Sequence, residues 1–78
     1  MTKGEVINSL KGLVGEWSED RAELVDRVEY WVIDDTEVCK LEDYGGYILI
    51  RFLDDDEIER AVLVEIEPHD GWQITRVA

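Results

Sequence analysis

The run Gly46-Tyr47-Ile48-Leu49-Ile50-Arg51-Phe52-Leu53 is stopped by Asp54-Asp55-Asp56 and followed by Ile58-Glu59-Arg60-Ala61-Val62-Leu63-Val64-Glu65-Ile66-Glu67. Both runs are rich in β-branched and apolar residues and are bounded by turn formers, so they read as antiparallel strands joined at an acidic turn. Pro68-His69-Asp70-Gly71 supplies the next turn, and Trp72-Gln73-Ile74-Thr75-Arg76-Val77 the last strand. Pairing Phe52 with Ile58 sets Ile50 opposite Arg60 and Ile48 opposite Val62. Pairing Ile66 with Trp72 sets Val64 opposite Ile74 and Val62 opposite Arg76. One face then carries Ile48, Ile50, Phe52, Ile58, Val62, Val64, Ile66, Trp72 and Ile74, and needs a covering layer. The other carries Tyr47, Leu49, Arg51, Glu59, Ala61, Leu63, Glu65, Gln73, Thr75 and Val77, with an apolar centre at Tyr47, Leu49, Ala61 and Leu63.

Upstream, residues 28–33 and 36–41 (VEYWVI and TEVCKL) flank Asp34-Asp35 and read as a hairpin, with Glu29 opposite Lys40 and Trp31 opposite Val38. Gly45-Gly46 permits the turn into the central strand. The covering layer comes from the N-terminus. Val6, Ile7, Leu10, Leu13, Val14 and Trp17 recur at helical spacing, and Thr2 with Glu5 forms a capping box. A second start signal at Ser18-Glu19-Asp20 precedes Leu24, Val25 and Val28. This predicts a helix over 3–17 and another over 19–27, or one long bent helix. The fold class is α+β: one or two N-terminal helices packed on one face of a four- to five-stranded antiparallel meander. The chain is a single domain, 1–78, with its helical part at about 3–27 and its sheet at about 28–77.

Twenty acidic residues oppose eight basic ones, a formal net charge of −12, and the acids are dispersed from Glu5 to Asp70. Such a surface stays hydrated in molar salt, where screening confines charge repulsion to roughly 3 Å. The composition resembles that of a small haloarchaeal protein and predicts a need for high KCl. Clustered Lys/Arg, required for nucleic acid or a membrane surface, is missing, so neither is a direct partner. No apolar run approaches the roughly 18 residues of a membrane span, and the N-terminus does not read as a signal peptide. The expected compartment is the cytoplasm. Cys39, alone, forms no internal disulfide, and no zinc spacing is present. A core of 78 residues without staples is marginal and favours tight packing, salt or oligomerisation.

No catalytic constellation, cofactor motif or metal-binding spacing is found. His69 and Asp54-Asp55-Asp56-Glu57 read as solvated turns, Cys39 as a buried thiol, and Trp17 and Trp72 as core anchors. Arg60 and Arg76 fall on the core face, where they are candidates for an anion or carboxylate contact, or for bridges to Glu16, Glu19 or Glu23. Trp31, Tyr47, Leu49, Ala61 and Leu63 form the candidate interaction surface.

The ending Asp70-Gly71-Trp72-Gln73-Ile74-Thr75-Arg76-Val77 resembles the last turn and strand of SnoaL-like proteins of the nuclear-transport-factor family. The layout of helix then meander, over the last fifty or so residues, is similar to the cystatin-type α+β roll. The resemblance implies a fold shared by isomerases, hydrolases and non-catalytic binding modules. Family members are longer, with more helix to close a conical pocket, and no catalytic residue carries over from an eight-residue match. Three functions are therefore expected. The first is a non-enzymatic interaction protein that self-associates, as a homodimer, or binds a protein partner through the exposed sheet face. The alternatives are a SnoaL-like ligand-binding or catalytic module, and an acidic decoy that occupies the basic site of a nucleic-acid-binding protein.

Overall fold

The computed structural model describes the backbone of residues 2–35 and 39–78, and the side chains of all of these but 33–35 and 39. Two helices, α1 (Lys3–Leu10) and α2 (Arg21–Asp35), lie against a sheet of five strands. These are β1 (Trp17–Ser18), β2 (Cys39–Asp43), β3 (Tyr47–Leu53), β4 (Glu59–Pro68) and β5 (Trp72–Val77). The order across the sheet is β1-β5-β4-β3-β2, all antiparallel. The last four strands form the expected meander, and β1 adds itself to its far edge.

Helix α1 opens with the capping box read from the sequence: the Glu5 N–H donates to Thr2 Oγ1 (3.2 Å) and the Thr2 N–H to Glu5 Oε1 (3.3 Å). It buries Val6 and Leu10 and is shorter than the spacing suggests. Lys11–Leu13 tighten into a 3-10 turn, Gly15 takes φ +96°, and the chain leaves the helix. Trp17 then becomes part of β1 instead of a last helical turn. The Gly15 N–H donates to the Ile74 carbonyl (2.8 Å) and the Ile74 N–H to that of Glu16 (3.0 Å). The Trp17 indole donates to the His69 carbonyl (2.7 Å), and its ring lies over Gly71, where a Cβ would meet Trp17 Cζ2 at 2.6 Å. Trp17 is thus a half-exposed lid on the β4–β5 turn and not a core anchor. Gly71, at φ +128°, is required there both by its backbone and by this ring.

The largest correction concerns residues 28–33, which continue α2 as far as Asp35 and form no hairpin. Leu24, Val28 and Val32 recur every fourth residue and are buried, with Val25 and Trp31 half-buried beside them. One helical stripe therefore covers the sheet, and its burial outweighs the β preference of Val, Tyr, Trp and Ile. Of the expected partner strand at 36–41, residues 36–38 lie outside the described residues and the rest belong to β2, and the reading of Cys39 as a buried thiol falls outside the described side chains. The sheet begins again at Cys39, which pairs with Phe52.

Strands β3 and β4 pair two residues further along than expected: Phe52 with Arg60, Ile50 with Val62, Ile48 with Val64. An even shift leaves the side chains of β3 and β4 on their predicted faces, while Ile58 drops out of the strand. The cause is the turn. The Asp54 N–H donates to the Ile58 carbonyl (3.0 Å), Glu57 takes φ +60°, and Ile58 stays in the turn, 48% exposed. Between β4 and β5 the register changes once. Ile66 pairs with Ile74, but Glu65 pairs with Arg76 and Val64 with Val77, so Thr75 is an extra residue. This bulge turns Val77 inward to 8% exposure and Arg76 outward, the reverse of the expected assignment.

The core is the layer between helices and sheet: Val6 and Leu10 of α1, Leu24, Val28 and Val32 of α2, and the inward residues of β3, β4 and β5. At one end Arg21 ties α2 to β2. Its two Nη atoms donate to the Asp43 carboxylate at 2.6 and 2.7 Å, and its guanidinium lies 6.0 Å from the Trp72 ring centroid. No described helix is long and apolar enough to cross a membrane.

Candidate interaction surface

The alternation that buries Ile48, Ile50 and Phe52 projects Tyr47, Leu49, Arg51 and Leu53 to the other side of the sheet. Register then sets their neighbours. On β4, Glu65 faces Tyr47, Leu63 faces Leu49, Ala61 faces Arg51 and Glu59 faces Leu53. On β2, Glu42 faces Leu49 and Lys40 faces Arg51. On β5, Arg76 faces Glu65 and Gln73 faces Glu67. Among the described residues no element lies over this outer face.

Its centre is apolar. Leu49 and Leu63 lie side by side, half-buried only by their neighbours, with Ala61 next along β4 and Tyr47 next along β3. Tyr44, in the β2–β3 turn, stacks on Tyr47 with centroids 5.2 Å apart and planes at 19°. Four of the five residues expected to form the interaction surface are thus together. Trp31 is not among them: it belongs to α2, on the opposite layer, and packs against the core.

The charges beside this centre form closed pairs, and Glu67, further along β4, is not among them. Glu42 is the hub. It accepts from the Tyr44 hydroxyl and from Arg51 Nε (3.1 Å), and lies 3.6 Å from Lys40 Nζ. Arg51 Nη1 also approaches Glu59 (3.8 Å), and Arg76 Nε approaches Glu65 (3.9 Å). The Tyr44 hydroxyl, then Arg51 and Lys40, hold the Glu42 carboxyl below the usual range, and Glu42 in turn raises the Tyr44 hydroxyl. Glu42, Tyr44 and Lys40 escaped the sequence reading because the parity of the Asp43–Gly46 turn was open. Once Tyr44 N–H is bonded to the Tyr47 carbonyl (2.9 Å), their face follows.

Arg60 and Arg76 do not form a shared anion site. Arg60 pairs with Phe52 at the rim of the core face and donates through Nε to Asp54 Oδ2 (2.8 Å). Arg76 lies on the other face, opposite Glu65. Neither reaches Glu16, Glu19 or Glu23; Glu16 pairs with Arg27 (3.2 Å). Asp54, the first of the acidic run, is occupied by its own turn: Oδ1 accepts from the Asp56 and Ile58 N–H groups, each at 2.9 Å. His69 is exposed in its turn. Among the described residues no group of three His, Cys, Asp or Glu is placed to hold a metal ion. Among the described residues Ser18 is the one buried polar residue, its hydroxyl accepting from the Asp20 N–H and donating to Glu23, while Arg21 Nε and Thr75 Oγ1 are buried atoms of half-buried residues without a hydrogen-bond partner. Comparison with protein-family models, with curated proteins and with solved structures finds no match to this chain.

Proposed function

We propose that this chain is a small, acidic, non-enzymatic interaction protein that associates with itself or with a protein partner through the outer face of its sheet. The observation that carries this is the uncovered Tyr47–Leu49–Ala61–Leu63 centre. An antiparallel sheet with one solvated face ordinarily alternates apolar-in with polar-out, and here the middle of the outward set is apolar. The charges beside it, Lys40, Arg51, Arg76, Glu42, Glu59 and Glu65, are paired with one another, so covering the centre requires little new counter-charge. An apolar interior layer favours this reading over a SnoaL-like pocket module, which needs polar groups facing inward. Carboxylates shared among helices, turns and strands favour it over an acidic decoy, which needs them ranked along one face. On this reading the net charge of −12 reflects a cytoplasm rich in KCl, not the partner.

The test is affinity capture in high KCl, comparing the wild type with Leu49→Asp and Leu63→Asp, each shown by circular dichroism to be folded. The wild type is expected to retain a defined protein, or an untagged copy of itself, that both variants lose by a factor of about ten or more. Equal retention by all three would remove the outer face from the function.

A further inference from the structure

The partner that this face fits best is decided by its charge. The described outer-face side chains include three cations, Lys40, Arg51 and Arg76, and four carboxylates, Glu42, Glu59, Glu65 and Glu67. These described side chains sum to −1, in a chain at −12, and they hold three of the eight basic residues. A basic partner would be drawn to the acidic remainder of the surface. Two copies of a chain this acidic repel each other in nearly every orientation, and the repulsion is least where the face between them is neutral.

Resting on the reading above, we infer that the partner is a second copy of this chain, packed sheet against sheet by a twofold axis running along the strands between Leu49 and Leu63. An isologous interface requires a patch complementary to itself, and the register supplies one. Rotation about that axis sets Leu49 of one copy over Leu63 of the other, and Leu63 over Leu49. It sets the long Arg51 over the small Ala61, the residue beside it on the neighbouring strand, so bulk meets space on both sides. The β2 flank crosses over the β4–β5 flank. Glu42 then falls over Ala78 of the second copy, one row from Arg76, and Lys40 falls in the row of Ala61, one row from Glu59. Aligned packing of two such sheets, roughly 10 Å apart, forms a sandwich with Leu49 and Leu63 of both copies at its centre.

Repulsion between two such acidic copies acts over long distances and the contact between them over short ones, so salt strengthens this dimer by screening the former. A complex held by charge attraction weakens with salt instead. The experiment is solution mass by light scattering across protein concentration and KCl, for the full chain and three variants. The wild type is expected to be a dimer whose dissociation constant falls as KCl rises. Leu63→Asp and Ala61→Arg, both on the outer face, are expected to raise that constant on the order of 100-fold. Tyr30→Asp, on the exposed side of α2, is expected to leave it unchanged. A wild type that stays monomeric to about 1 mM at every KCl concentration would overturn the second copy as partner, while loss of capture by Leu49→Asp would keep the interaction reading alive. A dimer indifferent to Leu63→Asp and Ala61→Arg overturns the sheet-to-sheet interface, and equal capture by the wild type and Leu49→Asp would overturn the reading above as well.

Discussion

Asp54 shows how one side chain turns an acidic run into architecture. Its carboxylate receives two backbone N–H groups of its own turn and the Arg60 guanidinium. Arg60 first, and then those N–H groups, hold its carboxyl below the usual range. A carboxyl whose pKa is lower in the folded chain than in the unfolded one stabilises the fold above its ordinary pKa, and that contribution is lost as pH falls through the depressed value. Asp54→Asn keeps an acceptor for the N–H groups but loses the charge facing Arg60. The variant is expected to be less stable than the wild type at pH 7, and the gap between their urea midpoints is expected to close as pH falls below the ordinary carboxylate range. Midpoints that run parallel from pH 7 to below the ordinary carboxylate range would show that the Asp54 charge contributes nothing. The sequence displayed the aspartates but not which of them the turn would use. That depended on Ile58 remaining in the turn, an exposed position for a residue whose type suggested the core.

At the scale of elements, β3 was legible because alternation of Ile48, Ile50 and Phe52 with Tyr47, Leu49 and Arg51 admits a single reading on a two-faced sheet. The second half of α2 was not. Val28, Tyr30, Trp31, Val32 and Ile33 are all favoured in strands, and the fourfold spacing of Leu24, Val28 and Val32 that places them on one helical stripe spans the supposed boundary. Strand β1 was hidden for the opposite reason: two residues are too few to show a period, and Trp17 also continues the spacing of α1. The bulge at Thr75 carries no glycine or other local mark, which is why Arg76 was assigned to the wrong face. The helical stripe makes a direct prediction. Leu24→Ala, at a fully buried position, is expected to cost about 2–5 kcal/mol, whereas Tyr30→Ala, at 71% exposure, is expected to stay within about 0.5 kcal/mol. Denaturant titration of the two distinguishes them, and similar losses would mean that α2 presents a different face to the sheet.

For the whole molecule the decisive quantity is a net charge of −12 on 78 residues. Self-repulsion of that size opposes compaction at low ionic strength, where the Debye length is roughly 30 Å at 0.01 M, and is nearly removed at 1 M, where it is roughly 3 Å. The urea midpoint is therefore expected to rise steeply as KCl increases through this range, and a flat response would detach the acidic composition from salt. The candidate surface was legible to the extent that it lies on β3 and β4, whose faces survive the shift in register. Its charged surround depended on a turn whose length the sequence left open. The pairing of β1 with β5 bears on the order of events in time. Trp17 and the His69 carbonyl it binds are 52 positions apart, so the strand that follows α1 has no partner until the far end of the chain has been made. During synthesis on the ribosome, the meander can assemble hairpin by hairpin as it emerges, but the edge closes only afterwards. Until then the residues of β1 wait with their amides unpaired, and the molecule's earliest strand is its last to join.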